Sequence, residues 1–406
     1  MHKMISLDES LALYAQHLRP LAPERRALTD ALGQVLAEPL QSKVDLPMFT
    51  QSAVDGYALR SADVASASEQ SPVTLKLRGE IAAGAPSSAE VQAGCAMRIF
   101  TGGVLPAGAD TSARQEIVER VGEEIRLRQP VKPGADTRFR GEEVKTGEAL
   151  ASAGQRLNSG LLSALAMAGI DSVMVRPLPR VAVVVTGDEV AEAHRSLKPG
   201  EIYDSNGPLV SGWLRERGYA PVSVQRERDE PALLRAALAG ALAQADVVLT
   251  TGGVSVGDRD YIPELAAELG VKKVFWKVAQ KPGKPLWFGV NPDGRALLGF
   301  PGNPAAVLIG LHLHTRQLFS VLEGETDGGP RWQHGVLSRE VRADIQRDQL
   351  LRVEVSSRED GVTLLTPMLR QDSHMLSNLA TATGIARIPR SEVNSPVGAV
   401  VRWLRM

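Results

Sequence analysis

The spacing of apolar residues changes period several times along the chain, and each change marks a new element. Leu7, Leu11, Tyr14 and Leu18 share one helical face behind Ser6, an N-cap, and Glu9, its capping-box partner. Residues 6–18 are therefore predicted as an amphipathic helix that packs against another element. Residues 26–40 read as a second helix, closed by Pro39. From 72 to 127 the pattern turns to short β-prone pieces, 73–77, 96–100, 117–121 and 124–127, set apart by Gly and Pro. An apolar helix over 159–168 ends at Gly169. The runs that open at Val181 and Val247 are continuously apolar, the mark of strands buried on both faces of a parallel sheet. Around them lie strand-like 220–224, 274–278 and 296–300 and predicted helices 208–217, 231–243 and 305–322. Short strands return at 350–355, 362–365, 385–388 and 399–404.

This order implies a multidomain α/β chain. A central doubly wound α/β domain is expected over 176–328, an inserted β-rich domain over 46–140 and a C-terminal β-barrel-like domain over 329–406. A small helical linking region comes from 1–45 and 141–175, with its N-terminal helix on the central domain. The length, 406 residues, is too great for one core, which agrees with several domains.

Composition narrows the function. A net charge of −1 supplies no global field for a polyanion, so no nucleic-acid partner is expected and any phosphate affinity must be local. The single cysteine, Cys95, excludes an intrachain disulfide and a cysteine-built metal cluster, and fits a reducing cytosol. No apolar run reaches membrane-spanning length and the N-terminus is a polar, periodic helix, so a cytoplasmic protein without a membrane partner is expected. A Walker loop, a placed GxGxxG fingerprint and zinc-ligand spacing are all missing from the sequence. Ser373 and His374 lack a partner constellation for a catalytic triad.

The candidate chemistry sits where strands end. After the strand at Val247, Gly252, Gly253 and Gly257 let backbone N–H groups approach an anion, while Thr250, Thr251 and Ser255 add hydroxyls. Asp258 and Asp260 place carboxylates beside them, as a divalent cation on a phosphate requires. The run from Thr186 to Glu189 ends the other buried strand, so the two loops define a crevice. Asp204, Ser205 and Asn206 are read as helix caps, Asn206 above all, and Asp229 as a cap or a crevice acid. Lys281 and Lys284, held by prolines around Gly283, form a pre-shaped cationic pocket, with a solubilising surface turn as the alternative. Pro301, Asn303 and Pro304 aim the N-terminus of the following helix at the same crevice. In the β-rich domain, Thr101 opens a second hydroxyl-glycine loop, Asp55 reads as a turn former, and Arg138 to Glu143 as a salt-linked surface loop or a phosphate grip.

Taken in order, SAVDGYA at Ser52, TGG at Thr101, RGEE at Arg140, TGDE at Thr186, YDSN at Tyr203, TTGGVSVGDRDY at Thr250, KPGKP at Lys281 and PGNP at Pro301 resemble the molybdopterin molybdenumtransferases, which include the bacterial MoeA proteins and the C-terminal domain of gephyrin. The resemblance spans essentially the whole chain. It implies an elongated subunit with a MogA-like, molybdopterin-binding central domain, and a homodimer whose cleft faces the partner's β-rich domain. It implies molybdenum cofactor biosynthesis, with Mg²⁺-dependent insertion of molybdate into adenylylated molybdopterin and release of AMP. The molybdopterin adenylyltransferase is then a candidate partner. Residue by residue, it assigns Glu189, Asp229 and Asp260 to metal-assisted pyrophosphate cleavage, with Asp55 and Thr101 reaching in from the partner. Gly252, Gly253, Ser255, Pro301, Asn303 and Pro304 fall to the substrate, and Lys281, Lys284, Arg352 and Ser373 to molybdate. Glu143 replaces the aspartate usual after RGE, and Leu350 the usual aromatic near Arg352. The alternatives are the adenylyltransferase itself, against which the extra β domains argue, and a gephyrin-like scaffold, for which no added domain speaks.

Overall fold

A computed structural model of the chain describes residues 4–84, 90–255, 257 and 260–406. Its centre is a six-stranded sheet in the order Pro221–Glu227, Val181–Thr186, Val247–Thr251, Ala296–Phe300, Trp287–Val290, Lys272–Trp276. The first four strands run parallel; Trp287–Val290 runs antiparallel to them, and Lys272–Trp276 pairs antiparallel with it. Every residue of Val181–Thr186, Val247–Thr251 and Ala296–Phe300 is buried, which is why these strands read as unbroken apolar runs. Alternate side chains feed two cores: Val181, Val183 and Val185 face one, Ala182 and Val184 the other. Helices Pro231–Gln244 and Ile262–Glu268 cover the second face. The first is covered by Asn206–Arg215, by the helix running from Pro304 to Leu322, and by the N-terminal helix Leu7–His17, which contributes Leu7 and Tyr14 to the core. Ser6 caps that N-terminal helix by accepting from the Glu9 amide at 3.1 Å.

The helix from Pro304 to Leu322 has a π-helical turn at Leu311–Thr315. Its 19 residues, close to the predicted 305–322, are long and apolar enough to cross a membrane, but 83% of the most apolar stretch is buried inside the chain, so here it is a core helix.

Residues 26–40 are not a helix. Glu24–Ala27 pairs antiparallel with Ser172–Arg176, a short 3-10 turn follows at Leu28–Asp30, and Val35–Leu36 pairs with the other edge of the same strand. The local leucine spacing loses to this long-range pairing, which buries Leu28 and Leu36 against Leu165 and Val173.

The inserted part forms a six-stranded sheet, Thr111–Arg114, Gly56–Leu59, Cys95–Ile99, Val73–Ile81, Glu124–Leu127, Val118–Val121, with its own cores. At the C-terminus, Asp348–Ser357, Thr363–Pro367, Gln333–Leu337, Val400–Arg405 and Gly384–Ile388 close into a barrel, because Gly384–Ile388 pairs back onto Asp348–Ser357. A two-residue strand from the central region, Gln280–Lys281, adds in parallel to the barrel strand at Asp348 and Gln349. The chain exposes 20231 Å², against roughly 15,000 Å² for a compact monomer of its mass, the signature of separate lobes.

Candidate active site

The carboxyl ends of the central strands and the rim of the C-terminal barrel enclose a cleft of about 910 Å³. Position follows from topology: loops leaving parallel strands at the same end must meet where neighbouring strands diverge. Glu189 reaches it from the loop after Val181–Thr186, Gly253, Ser255 and Asp260 from the loop after Val247–Thr251, and Pro301, Asn303 and Pro304 from the loop after Ala296–Phe300. Lys281 enters from the short strand shared with the barrel, and Ser373 from the barrel itself. Each of these nine residues was assigned to the site by resemblance.

The glycine loop is set by backbone geometry. Gly253 adopts φ +67, and a Cβ there would lie 2.7 Å from Cγ1 of Ile262. Gly252, one step back, donates its N–H to the Phe300 carbonyl at 2.9 Å and lies under the wall instead of in it. The Asp260 carboxylate accepts from the Gly257 amide at 2.7 Å, which holds the far end of the loop closed. Asp258 lies outside the described residues.

Several expectations need correction. Asp229 is not in the cleft wall: its amide donates to Asp188 at 3.1 Å, beside the loop that carries Glu189. Among the described residues no three His, Cys, Asp or Glu side chains converge for a metal, so Glu189, Asp229 and Asp260 are not a preformed triad. Lys284 is exposed and also outside the wall, while its carbonyl accepts from the Val278 amide at 3.0 Å. Arg352 is fully buried beneath the barrel rim. Its Nε donates to Asn378 at 2.6 Å and its Nη2 to the Arg370 carbonyl at 3.0 Å, so it braces the loop that presents Ser373, and burial pushes its guanidinium pKa down. The first amide of the Pro304 helix does not face the cleft unspent, because Ala305 N–H donates to the Ser373 carbonyl at 3.3 Å. Asn303 bridges the two walls through Nδ2 to Ser373 Oγ at 2.8 Å. Asn206 is not a cap. It begins its helix and donates to the Gly302 carbonyl at 2.7 Å, while Asp204 does the capping by accepting from the Gly207 amide at 2.8 Å.

Asp55 and Thr101 lie in turns at the ends of strands of the inserted sheet, and among the described residues none of this part lines the cleft of the same chain. They find each other instead. Asp55 accepts from both the amide and the hydroxyl of Thr101 at 2.8 Å, and those donors hold its carboxyl below the usual range. Arg140 pairs with Asp45 at 2.6 Å, the surface salt link of the two readings of that motif. Sequence reasoning missed Arg347, Gln371, Asp372 and His374 as wall residues. They sit in barrel loops without local motifs. Tyr203, Asp204 and Asn206 carried a signal in YDSN, one of the motifs of the resemblance, but Asp204 and Asn206 were read as caps and none of the three was given a place in the wall.

Fold and cleft together define a class: a multidomain α/β protein with a cleft at the carboxyl ends of its central strands and a β-barrel as the second wall. Family models for the MoeA N-terminal region (domains I and II), a probable molybdopterin binding domain and the MoeA C-terminal region (domain IV) match residues 5–169, 182–320 and 334–406. Molybdopterin molybdenumtransferase 2 of Mycobacterium tuberculosis is 31% identical over 97% of this chain and 98% of its own length. A Nostoc molybdopterin molybdenumtransferase is 38% identical over 69% of this chain and 64% of its own. A crystal structure of the molybdopterin biosynthesis MoeA protein of Pyrococcus horikoshii superposes with a TM-score of 0.83 at 27% identity, covering 100% of both chains. The chain belongs to the molybdopterin molybdenumtransferase family.

Proposed function

We propose that this protein acts in molybdenum cofactor biosynthesis as a transferase that inserts molybdate into adenylylated molybdopterin and releases AMP. The observation that carries the reading is the composition of one cleft. A backbone anion loop, the acids Glu189 and Asp260, the cation of Lys281 and the hydroxyl of Ser373 all open into the same space. The glycine loop binds the pterin-side phosphate through its amides. Lys281 and Ser373 supply fixed donors for the molybdate dianion, which leaves water only for several such partners.

Two carboxylates fit Mg²⁺, which usually keeps waters and takes one or two protein carboxylates plus substrate phosphates. Glu189 and Asp260 would hold it. Bound there, the ion would neutralise the phosphates and stabilise charge on departing AMP. Asp229 supports this shell from behind through the Asp188 loop.

A homodimer completes the reading. The Asp55–Thr101 pair is exposed and away from its own cleft, and Met48, Phe49 and Phe139 leave large apolar side chains 49%, 39% and 50% exposed on the same part of the chain. A second subunit docked there would bring the pair to the cleft and cover these side chains. The single cysteine agrees with a cytoplasmic site of action.

The test is AMP release and cofactor formation from adenylylated molybdopterin, molybdate and Mg²⁺, comparing wild type with Glu189→Gln and Asp260→Asn. Asp260→Asn keeps an oxygen for the Gly257 amide, so its loop survives while the charge is lost. Both variants are expected to lose roughly a hundredfold or more in rate. Absence of AMP release by wild type ends the proposal, and ATP-dependent adenylylation of molybdopterin would put the adenylyltransferase in its place.

A further inference from the structure

Three side chains that never reach the cleft hold its lysine loop from behind. Tyr14, His314 and Gln280 are each 0% exposed and come from the N-terminal helix, the π-helical turn and the two-residue strand that Gln280 forms with Lys281. Tyr14 OH lies 3.1 Å from His314 Nδ1, His314 Nε2 lies 2.9 Å from Gln280 Oε1, and Gln280 Nε2 donates to the Gly283 carbonyl at 3.2 Å.

The donor directions follow from chemistry. With the amide nitrogen spent on Gly283, Gln280 offers His314 only an acceptor oxygen, so Nε2 carries the ring proton. Nδ1 is then an acceptor, and Tyr14 donates to it. Burial keeps the ring neutral by pushing its pKa down to about 3. The hydrogen-bonded row therefore has one direction, from Tyr14 to the loop. The loop is built around its last member: Gly283 takes φ +89, and a Cβ there would stand 2.7 Å from Gln280 Nε2. The backbone alongside is tied to two other parts of the chain, by Ala279 N–H to the Ile5 carbonyl at 2.8 Å and Asp348 N–H to the Ala279 carbonyl at 2.9 Å.

We propose that Tyr14, His314 and Gln280 form a positioning relay that fixes Lys281 at the cleft wall, with His314 acting through Gln280. The proposal rests on reading Lys281 as a molybdate ligand. None of the three touches substrate. A displacement of about 1 Å in a binding group can cost roughly a hundredfold, so the relay is expected to govern molybdate affinity more than turnover.

The experiment compares His314→Phe, which keeps a ring and loses both nitrogens, with His314→Gln, which can still donate to Gln280 and accept from Tyr14. Tyr14→Phe is the milder perturbation if His314→Phe does not fold. Tyr219→Phe, which removes a buried hydroxyl hydrogen-bonded to Glu323 at 2.6 Å, controls for lost stability alone. The readouts are KM for molybdate against kcat for AMP release, and hydrogen exchange at the Lys281, Gly283 and Lys284 amides. His314→Phe should raise the molybdate KM roughly tenfold or more with kcat little changed, and speed exchange at those amides. Tyr14→Phe should do the same to a smaller degree, while His314→Gln restores both readouts towards wild type and Tyr219→Phe moves neither. Unchanged KM with unchanged loop exchange in a folded His314→Phe or Tyr14→Phe protein overturns the relay, and so does His314→Gln behaving like His314→Phe. If wild type releases no AMP, the functional reading falls, and loop exchange alone decides the relay.

Discussion

The two lysines of one short motif should differ sharply when each is removed. Lys281 projects from the cleft wall and shares that wall with Ser373 and Asn303, whereas Lys284, three residues on, is exposed outside it. A charge-assisted hydrogen bond to a dianion is worth roughly 1.5–3 kcal/mol. At about 1.4 kcal/mol per factor of ten, Lys281→Ala should raise the molybdate KM roughly ten- to a hundredfold. Lys284→Ala removes only a screened charge, since the Debye length is about 8 Å at physiological ionic strength, and should stay within about threefold. Both positions are exposed, so neither variant should shift stability by more than about 0.5 kcal/mol. The assay is AMP release against molybdate concentration at fixed ionic strength, repeated at high salt, where any Lys284 effect should shrink first. Equal losses in the two variants, or a larger loss for Lys284→Ala, would refute the placement of the anion at the Lys281 wall.

Other expectations follow from the same geometry. Gly253→Ala forces a left-handed residue against Ile262 and should cost about 2–4 kcal/mol, read as a lowered thermal midpoint with loss of AMP release. Burial pushes Glu325 up, but Arg156 and Arg316 outweigh it and bring its pKa down to about 2. A depressed carboxylate stabilises above its unfolded pKa, so a contribution of about 2–3 kcal/mol, discounted for solvent screening, should disappear as pH falls from about 4.5 to about 2. Denaturant midpoints across that window should show the loss in wild type, and Glu325→Gln should flatten it. Asp8 is held below its ordinary pKa by its hydrogen bond to Arg387 and should release the barrel on acidification; Asp8→Asn should speed exchange in Gly384–Ile388 at neutral pH.

What the sequence revealed tracks how local the cause is. The buried strands at Val181 and Val247 were legible because burial on both faces writes an unbroken apolar run, and the N-terminal helix because Ser6 and Glu9 mark its start. The loops after Thr251 and around Gly283 were legible as glycine- and proline-built turns from spacing alone. Residues 26–40 were misread because their partner, Ser172–Arg176, lies far along the chain and no local pattern encodes the pairing. Resemblance put Arg352 and Ser373 in one set, yet only coordinates separate the wall residue from the brace beneath it. Arg347 and His374 were not placed at the wall in advance: His374 follows Ser373 in an irregular loop held by the buried Arg352 guanidinium, Arg347 lies in a turn tied to Asp344, and neither leaves a periodic trace.

The N-terminal helix has a consequence for how the protein is made. Leu7, Tyr14 and Leu18 are core residues of a domain whose strands begin at Val181, and Ile5 pairs with Val278. During synthesis this helix emerges before the central sheet and must keep its apolar face unpartnered until about 270 further residues have followed, as the Ile5 and Val278 positions require. A fragment cut to begin at the central sheet would lack part of its own interior and is expected to aggregate, whereas supplying residues 4–18 as a separate peptide should restore its solubility.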